Sequence, residues 1–208
     1  MIIAVDGPTA SGKGTIAKAL AAHFGLPMMD TGMLYRAVGR QVQLNGGDAD
    51  SPADALAGCD FPAALLDDPV LRTEFIGGLA SRVSVHPQVR AALNERQVNF
   101  AGQTGGALLD SRDIGTVIAP QADAKLYVTA RSEVRATRRQ SEMQAHGIDA
   151  AFEDILADIK ARDTRDTGRA DSPLKPAIDA DLLDTSELTI GSAVQAAIAL
   201  VEAKLRLC

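Results

Sequence analysis

The sequence predicts an α/β fold, a five-stranded parallel sheet flanked by helices. Three observations carry this. Five short apolar runs, at 2–6, 26–30, 107–109, 125–129 and 180–184, alternate with helix-favouring stretches, the alternation expected of a parallel sheet. A glycine-rich loop bearing a lysine joins the first run to the first helical stretch, the setting that makes a phosphate-binding loop credible. The chain has 208 residues, 46% apolar and 23% charged, enough for one core with small attachments.

The same composition narrows the function. Aromatic residues make up 3% of the chain and tryptophan is absent, which argues against a base-stacking single-strand binder. A net charge of −6 argues against broad nucleic-acid or membrane-surface binding. Cys59 and Cys208 lie far apart without metal-ligand spacing and read as free thiols of a reducing compartment. No apolar run reaches membrane-spanning length. Met1 leads straight into the first apolar run, leaving no room for a signal peptide, so a cytoplasmic protein is expected.

In chain order, Ile2-Ile3-Ala4-Val5-Asp6 reads as a buried strand. It runs into Gly7-Pro8-Thr9-Ala10-Ser11-Gly12-Lys13-Gly14-Thr15 and then a helix-favouring stretch, 16–22. Glycines let backbone N–H groups turn around an anion. The new helix adds its N-terminal donors, and Lys13 adds a mobile charge for the outer phosphates. The hydroxyl comes at Thr15, one place later than in the usual G-x-x-x-x-G-K-[ST] pattern. Thr15 is the candidate metal contact.

The second strand, 26–30, ends at Asp30-Thr31-Gly32, and a helix follows from Met33. A helix start beside Arg36 suits an anion, and Thr31 and Tyr35 share a face. An ordinary cap at Asp30 or Thr31 with a surface Tyr-Arg pair fits these residues as well. Residues 45–68 read as a turn, a short helix near 53–57 and a loop. Two helices, 69–85 and 87–101, each open on a proline. Ser81 falls late in the first and Arg90 early in the second, and neither declares a role by itself. His23, His86 and His146 have no cysteine or carboxylate cluster nearby and read as surface or capping histidines.

The third strand ends in Asp110-Ser111-Arg112-Asp113-Ile114-Gly115-Thr116. Open α/β sheets bind ligands past the strand C-termini, so two acids and an arginine there make a candidate site, with a structural ion pair as the alternative. After the fourth strand, a helix begins near Ser132, carries Arg135, Arg138 and Arg139, and ends at Gly147. Another begins near Phe152. On it Arg162, Arg165 and Arg169 share a face with Asp166 if the helix continues. Taken alone, that pattern is simplest as a solvated helix with weak i,i+4 ion pairs. After the fifth strand, 189–205 closes the chain as an amphipathic helix. Ile190, Val194, Ala197, Ile198, Val201 and Leu205 form its core face.

Assembled, these segments resemble the bacterial cytidylate kinases, nucleoside-monophosphate kinases of the P-loop kinase fold. The resemblance runs nearly end to end. It rests on D-G-P-x-x-x-G-K-G-T at 6–15, D-T-G-x-x-Y-R at 30–36, R-D-I-G-T at 112–116, R-D-x-R-D-x-x-R at 162–169 and L-L-D-T at 182–185. The G-K-G-T ending is typical of monophosphate kinases and accounts for the displaced hydroxyl. The resemblance implies a core of 1–30, 103–131 and 178–208, a monophosphate-binding region at 31–102 and a mobile lid at 132–177.

It also implies roles. Gly7, Pro8, Thr9, Ala10, Ser11, Gly12, Lys13, Gly14 and Thr15 would cradle the ATP phosphates, with Arg135 and Arg138 reaching ATP. Thr31, Tyr35, Arg36, Arg112 and Arg169 would hold CMP, the three arginines on its phosphate. Ser81, Arg90 and Asp113 would read cytosine, whose exocyclic amine suits a carboxylate. Arg162 and Asp166 would reach the sugar and phosphates. Two features depart from the family. Ser111 stands where many members have glycine. The stretch 48–79 is too short and too helical for the β-rich segment many bacterial members insert, so a reduced monophosphate lobe is expected.

The implied reaction is Mg²⁺-dependent transfer from ATP to CMP or dCMP, giving CDP or dCDP. The acceptor phosphate has its second pKa near about 6, so no catalytic base is needed. Lys13, Arg36, Arg112, Arg162 and Arg169 would supply the catalytic charge with Mg²⁺. A monomer without nucleic-acid or membrane partners is expected. Rival readings are a kinase for another monophosphate or small metabolite, and a nucleotide-binding regulator without transfer activity.

Overall fold

A computed structural model describes every residue except His146, Leu207 and Cys208, so the expectations for His146 and Cys208 lie outside the described residues. In chain order the elements are β1 (Ile2–Asp6), α1 (Lys13–Phe24), β2 (Met28–Asp30), α2 (Thr31–Leu44), α3 (Pro52–Ala57), α4 (Glu74–Val83), α5 (Pro87–Ala101), β3 (Ala107–Ser111), β4 (Ala124–Thr129), α6 (Ser132–Ala145), α7 (Phe152–Gly168), β5 (Asp181–Asp184) and α8 (Ile190–Leu205). The five strands form one sheet in the order β2-β3-β1-β4-β5. β1 pairs in parallel with β3 and β4, and β4 with β5. The register sets Asp6 opposite Ser111 and Tyr127, so the C-terminal ends of β1, β3 and β4 lie side by side, where such sheets bind ligands.

Two compact units divide the chain: Met1–Met28 with the chain from Ala101 onward, and Met29–Phe100. The core of the first unit lies along the sheet. Ile3, Val5, Leu108, Leu126 and Val128 meet Ile16 and Leu20 of α1 and Ala193, Ala197 and Val201 of α8. Near-continuous apolar runs suit such strands, because both their faces are covered. A small satellite cluster of Ala136, Ile155 and Ile159 joins α6 to α7. The expected core face of α8 is wrong at one position: Ile190 is 74% exposed. Thr189 caps the helix by accepting from Ser192 N at 3.2 Å. Ile190 is therefore the first helical residue, and the buried face begins with Ala193, one turn into the helix.

The second unit is built around Leu34, Val38 and Val42 of α2, packed with Leu71, Ile76, Val83, Val89 and Leu93. Gly39 lets α2 and α4 approach closely, since a Cβ there would lie 2.8 Å from Leu79 Cβ. The expected helix over 69–85 is in fact split. Pro69–Arg72 is a 3₁₀ turn whose Val70 N donates to Asp68 at 2.9 Å. Thr73 is extended and caps α4, so its side chain stops one helix and starts the next. A further 3₁₀ turn covers Ala63–Asp67. Past β2, the described residues of this unit are helices and turns only, as the shortened 48–79 stretch implies.

The histidines part ways. His23 is exposed and pairs with Glu202 at 3.1 Å. His86 keeps the capping half of that expectation and corrects the surface half. At the head of α5 its carbonyl accepts from Arg90 N at 3.2 Å, but it is buried, with its ring Nε2 3.0 Å from Ala49 O. No described helix is long and apolar enough to cross a membrane.

Candidate active site

The loop between β1 and α1 is shaped by close backbone approach. A Cβ on Gly7 would sit 2.0 Å from Val128 O, so only glycine lets the chain leave β1 past β4. Ala10 and Gly12 take left-handed backbone angles, φ 57° and 90°, which turn successive peptides around the loop. No side chain caps α1, which leaves its first turn suited to an anion. Ser11 is fully buried, and its Oγ has no hydrogen-bond partner among the described residues. Buried hydroxyls without partners are rare and point to a ligand or water. Lys13 Nζ lies 3.7 Å from Asp110 Oδ1 at the end of β3.

The turn after β3 is held from β1. Asp6 accepts hydrogen bonds from Ile114 N and Gly115 N, both at 2.8 Å, at the start of a π-helical turn, Ile114–Ile118. Burial pushes the Asp6 carboxyl up to about 7, the two N–H donors pull it back, and the charges of Asp113 and Asp110 raise it further. Ser111 Oγ lies 3.5 Å from Asp113 Oδ1. Asp113 is itself 3% exposed.

Arg112, Arg162, Asp166 and Arg169 gather in the same unit, but not as a solvated helix face. Arg162 and Asp166 are both buried. Arg112 Nε donates to Asp166 Oδ2, and Arg169 Nη1 lies 4.0 Å from Asp166 Oδ1. Burial works against the Asp166 charge, yet Arg112 and Arg169 hold its carboxyl below the ordinary range. Burial likewise opposes the Arg112 charge, and the Asp166 carboxylate more than offsets it, so Arg112 ends above its usual value. Arg162 reaches back one turn to Asp158, 2.8 Å away. Burial pulls its guanidinium below the usual value against that attraction. The helix ends at Gly168, and Arg169 is extended at the C-cap rather than on the helix face.

Arg135 forks onto Asp163 at 3.0 and 2.6 Å and donates to Thr9 O at 3.3 Å. Arg138 donates to Thr185 Oγ1 at 2.9 Å and Thr185 O at 2.6 Å. The Thr185 hydroxyl in turn donates to Ser11 O at 2.9 Å. Beside them is a cleft of about 580 Å³ lined by Gly12, Thr15, Arg138, Leu188, Ile190 and Ala193 among others. The exposed Ile190 is thus a cleft residue. Sequence reasoning gave no role to Asp6, Asp163 or Thr185, named Asp110 only as one of two acids after β3, and placed Ile190 on the core face. For Thr185 a signal existed in the L-L-D-T segment, but only the fold joins it to Ser11.

The second unit carries Thr31, Tyr35, Arg36, Ser81 and Arg90. Thr31 and Tyr35 are buried, so the surface Tyr-Arg pair is overturned. Asp30 makes no side-chain cap bond. Arg36 donates to Leu71 O at 2.6 Å and Thr73 O at 2.9 Å, the carbonyls flanking the break before α4. Gly77 makes room for it: a Cβ there would lie 2.8 Å from Arg36 Nη2. The buried Arg90 guanidinium sits 5.7 Å from the centre of the Tyr35 ring, within cation–π range. Ser81 is half-buried on α4.

Known proteins match this chain over nearly its full length. The family model described as Cytidylate kinase matches residues 3–203. A cytidylate kinase of Caulobacter vibrioides (strain NA1000 / CB15N) is 56% identical over 203 residues, covering 97% of this chain and 95% of its own. One from Xanthobacter autotrophicus is 55% identical over 204 residues, covering 98% of each. The crystal structure of an uncharacterized protein from Eubacterium ventriosum covers 98% of this chain and 99% of its own, with a TM-score of 0.56 at 13% identity, a likeness of fold alone. With the family model spanning both units, and so both groups of candidate residues, the chain belongs to the cytidylate kinase family.

Proposed function

We propose that this protein transfers the γ-phosphoryl group of Mg-ATP to CMP or dCMP, giving ADP and the pyrimidine diphosphate. One observation carries the reading. β1 and β3 are paired with Asp6 opposite Ser111, so the phosphate loop and the Arg112 turn leave adjacent strand ends. Donor-side and acceptor-side cations would thus be set close together by the sheet, and proximity is most of what this reaction needs.

Residues 7–15 and Lys13 take the ATP phosphates, and the cleft beside Thr15 and Arg138 suits the rest of the nucleotide. The metal donor the loop offers is the exposed Thr15 hydroxyl, which fits a Mg²⁺ ion completing its shell with phosphate oxygens and water. When bound, Mg²⁺ neutralises charge on the transferring group. Arg36, Arg112 and Arg169 take the CMP phosphate, and Arg162 adds charge beside them. Arg112 engages Asp166 through Nε, which leaves its terminal fork for phosphate oxygens. Thr31 and Tyr35 help hold CMP, Asp166 reaches toward the sugar, and Ser81, Arg90 and Asp113 read cytosine. The acceptor is already an anion at neutral pH, so no residue needs to abstract a proton.

We take 31–102 as the monophosphate-binding region and 132–177 as a lid that closes over the nucleotides and excludes water. The small core of α6 and α7 is distinct from the sheet core and packs against Ala10 of the phosphate loop, which supports a lid beside the ATP phosphates. The test is ADP formation from Mg-ATP with CMP, dCMP, UMP and AMP offered separately. Preference for the two cytidylates is expected. Preference for UMP or AMP would overturn the base assignment, and no acceptor-dependent turnover would overturn the reaction. Arg169→Ala should lower turnover strongly with the fold intact; normal turnover would refute the lid.

A further inference from the structure

We propose that Asp6 is a positioning residue whose carboxylate pins the turn after β3 and so holds Arg112 and Asp113 in place for the acceptor. This rests on reading Arg112 and Asp113 as CMP-side residues. The geometry is bidentate: Asp6 Oδ1 accepts from Ile114 N and Oδ2 from Gly115 N, each at 2.8 Å. Bonds to a charged acceptor are among the stronger hydrogen bonds. They seize the two peptides directly after Asp113, where the chain enters a π-helical turn, a conformation that needs outside support and recurs at functional sites. The turn is also wedged from the other side. A Cβ on Gly115 would lie 3.1 Å from Lys125 Cδ and 3.4 Å from Asp6 Oδ2, so a side chain there would press on Lys125 and the turn runs close against both side chains.

Stability alone does not account for a carboxylate here. The rest of β1 is Ile2, Ile3, Ala4 and Val5, and Asp6 is 5% exposed. A buried carboxylate is costly unless fully bonded. The nearby ammonium of Lys125 is spent elsewhere, on Pro120 O at 2.6 Å and on Asp179 at 2.9 and 2.7 Å. The facing acids Asp110 and Asp113 add repulsion. What Asp6 gains in return is control of the Arg112 turn from the residue that also begins the phosphate loop, one position before Gly7.

The test is Asp6→Asn, whose amide keeps one acceptor but turns a donor toward the second N–H. Assayed at about pH 8, above the value of about 7 to which burial pushes Asp6, so that the carboxylate is charged, KM for CMP should rise roughly tenfold, the scale of one lost charge-assisted bond, with KM for ATP within about twofold and the melting temperature not lowered. An unchanged KM for CMP overturns the proposal. So does a rise confined to ATP, which would assign Asp6 to the phosphate loop. Arg112→Ala in the same assay separates the two layers. If it leaves KM for CMP alone, the acceptor reading falls and the proposal with it; if it raises that KM and Asp6→Asn does not, the proposal falls alone. Amide exchange in the unliganded wild type needs no variant. Ile114 and Gly115 should be protected like the sheet, and exchange as fast as exposed loops would overturn the pinning.

Discussion

Asp6 at the end of β1 and Asp166 on α7 are 5% and 4% exposed, yet the two carboxyls are driven in opposite directions. Asp6 is pushed up to about 7 by burial, against two backbone N–H groups. Asp166 suffers the same burial, but the guanidiniums of Arg112 and Arg169 hold it below the ordinary range. Depth does not decide the charge state; the partner does. Peptide dipoles return part of the lost hydration, whereas a full opposite charge at short range returns more than all of it. The difference also separates their proposed roles. Asp6 shapes backbone, whereas Asp166, proposed to reach toward the sugar, is held by Arg112 and Arg169.

The largest test of this contrast is Arg112→Ala. It leaves Asp166 buried with the more distant Arg169, and removing one partner of a buried pair costs about 3–5 kcal/mol. Urea unfolding should show that loss, and kcat/KM for CMP should fall roughly a hundredfold or more. A stability loss under about 1 kcal/mol would mean that Arg169 alone satisfies Asp166, and the contrast would break.

Next come the opposite pH signs. The raised pKa of Asp6 means that its contribution to stability is complete below the ordinary carboxylate value, near 3.8, and is lost as pH rises through about 7. Asp6→Asn should therefore gain on the wild type across that window, by a few kcal/mol in unfolding free energy. The lowered pKa of Asp166 gives the reverse. Its contribution is present above 3.8 and is lost as pH falls through its depressed value, so Asp166→Asn should flatten the acid limb. Parallel pH–stability curves for the wild type and both variants would erase the distinction.

The smallest effect sets the baseline. The His23–Glu202 pair is about 40% exposed on both sides, at 41% and 39%, where solvent screens the charges. Glu202→Gln should change unfolding free energy by less than about 0.5 kcal/mol. A larger change would mean that exposure is not what separates surface pairs from the Arg112–Asp166 pair.

Legibility followed the same divide between near and far. The phosphate loop could be read because its parts are contiguous: strand, glycines, Lys13 and helix adjoin in the chain, and each has a local reason. The strands and most helices could be read from their apolar spacing. Local reading failed where a side chain chose between neighbours. Thr73 cut the expected 69–85 helix by capping, and Ile190 left the core face because the helix begins there. Arg162 turned back one turn to Asp158. In the second unit, no spacing rule announces that Arg36 is held by the carbonyls of Leu71 and Thr73.

By itself, the sequence determined the α/β class, the phosphate loop and which residue types could meet phosphate, because glycine conformation, helix periodicity and side-chain charge are properties of short segments. Tertiary structure alone decided which polar groups meet. Arg112 and Asp166 are 54 residues apart, Asp6 and Ile114 are 108 apart, and Ser11 and Thr185 are 174 apart. Each pairing exists because sheet order and helix packing bring distant segments into one low-dielectric place. There a single neighbouring charge outweighs everything that composition could say about ionisation.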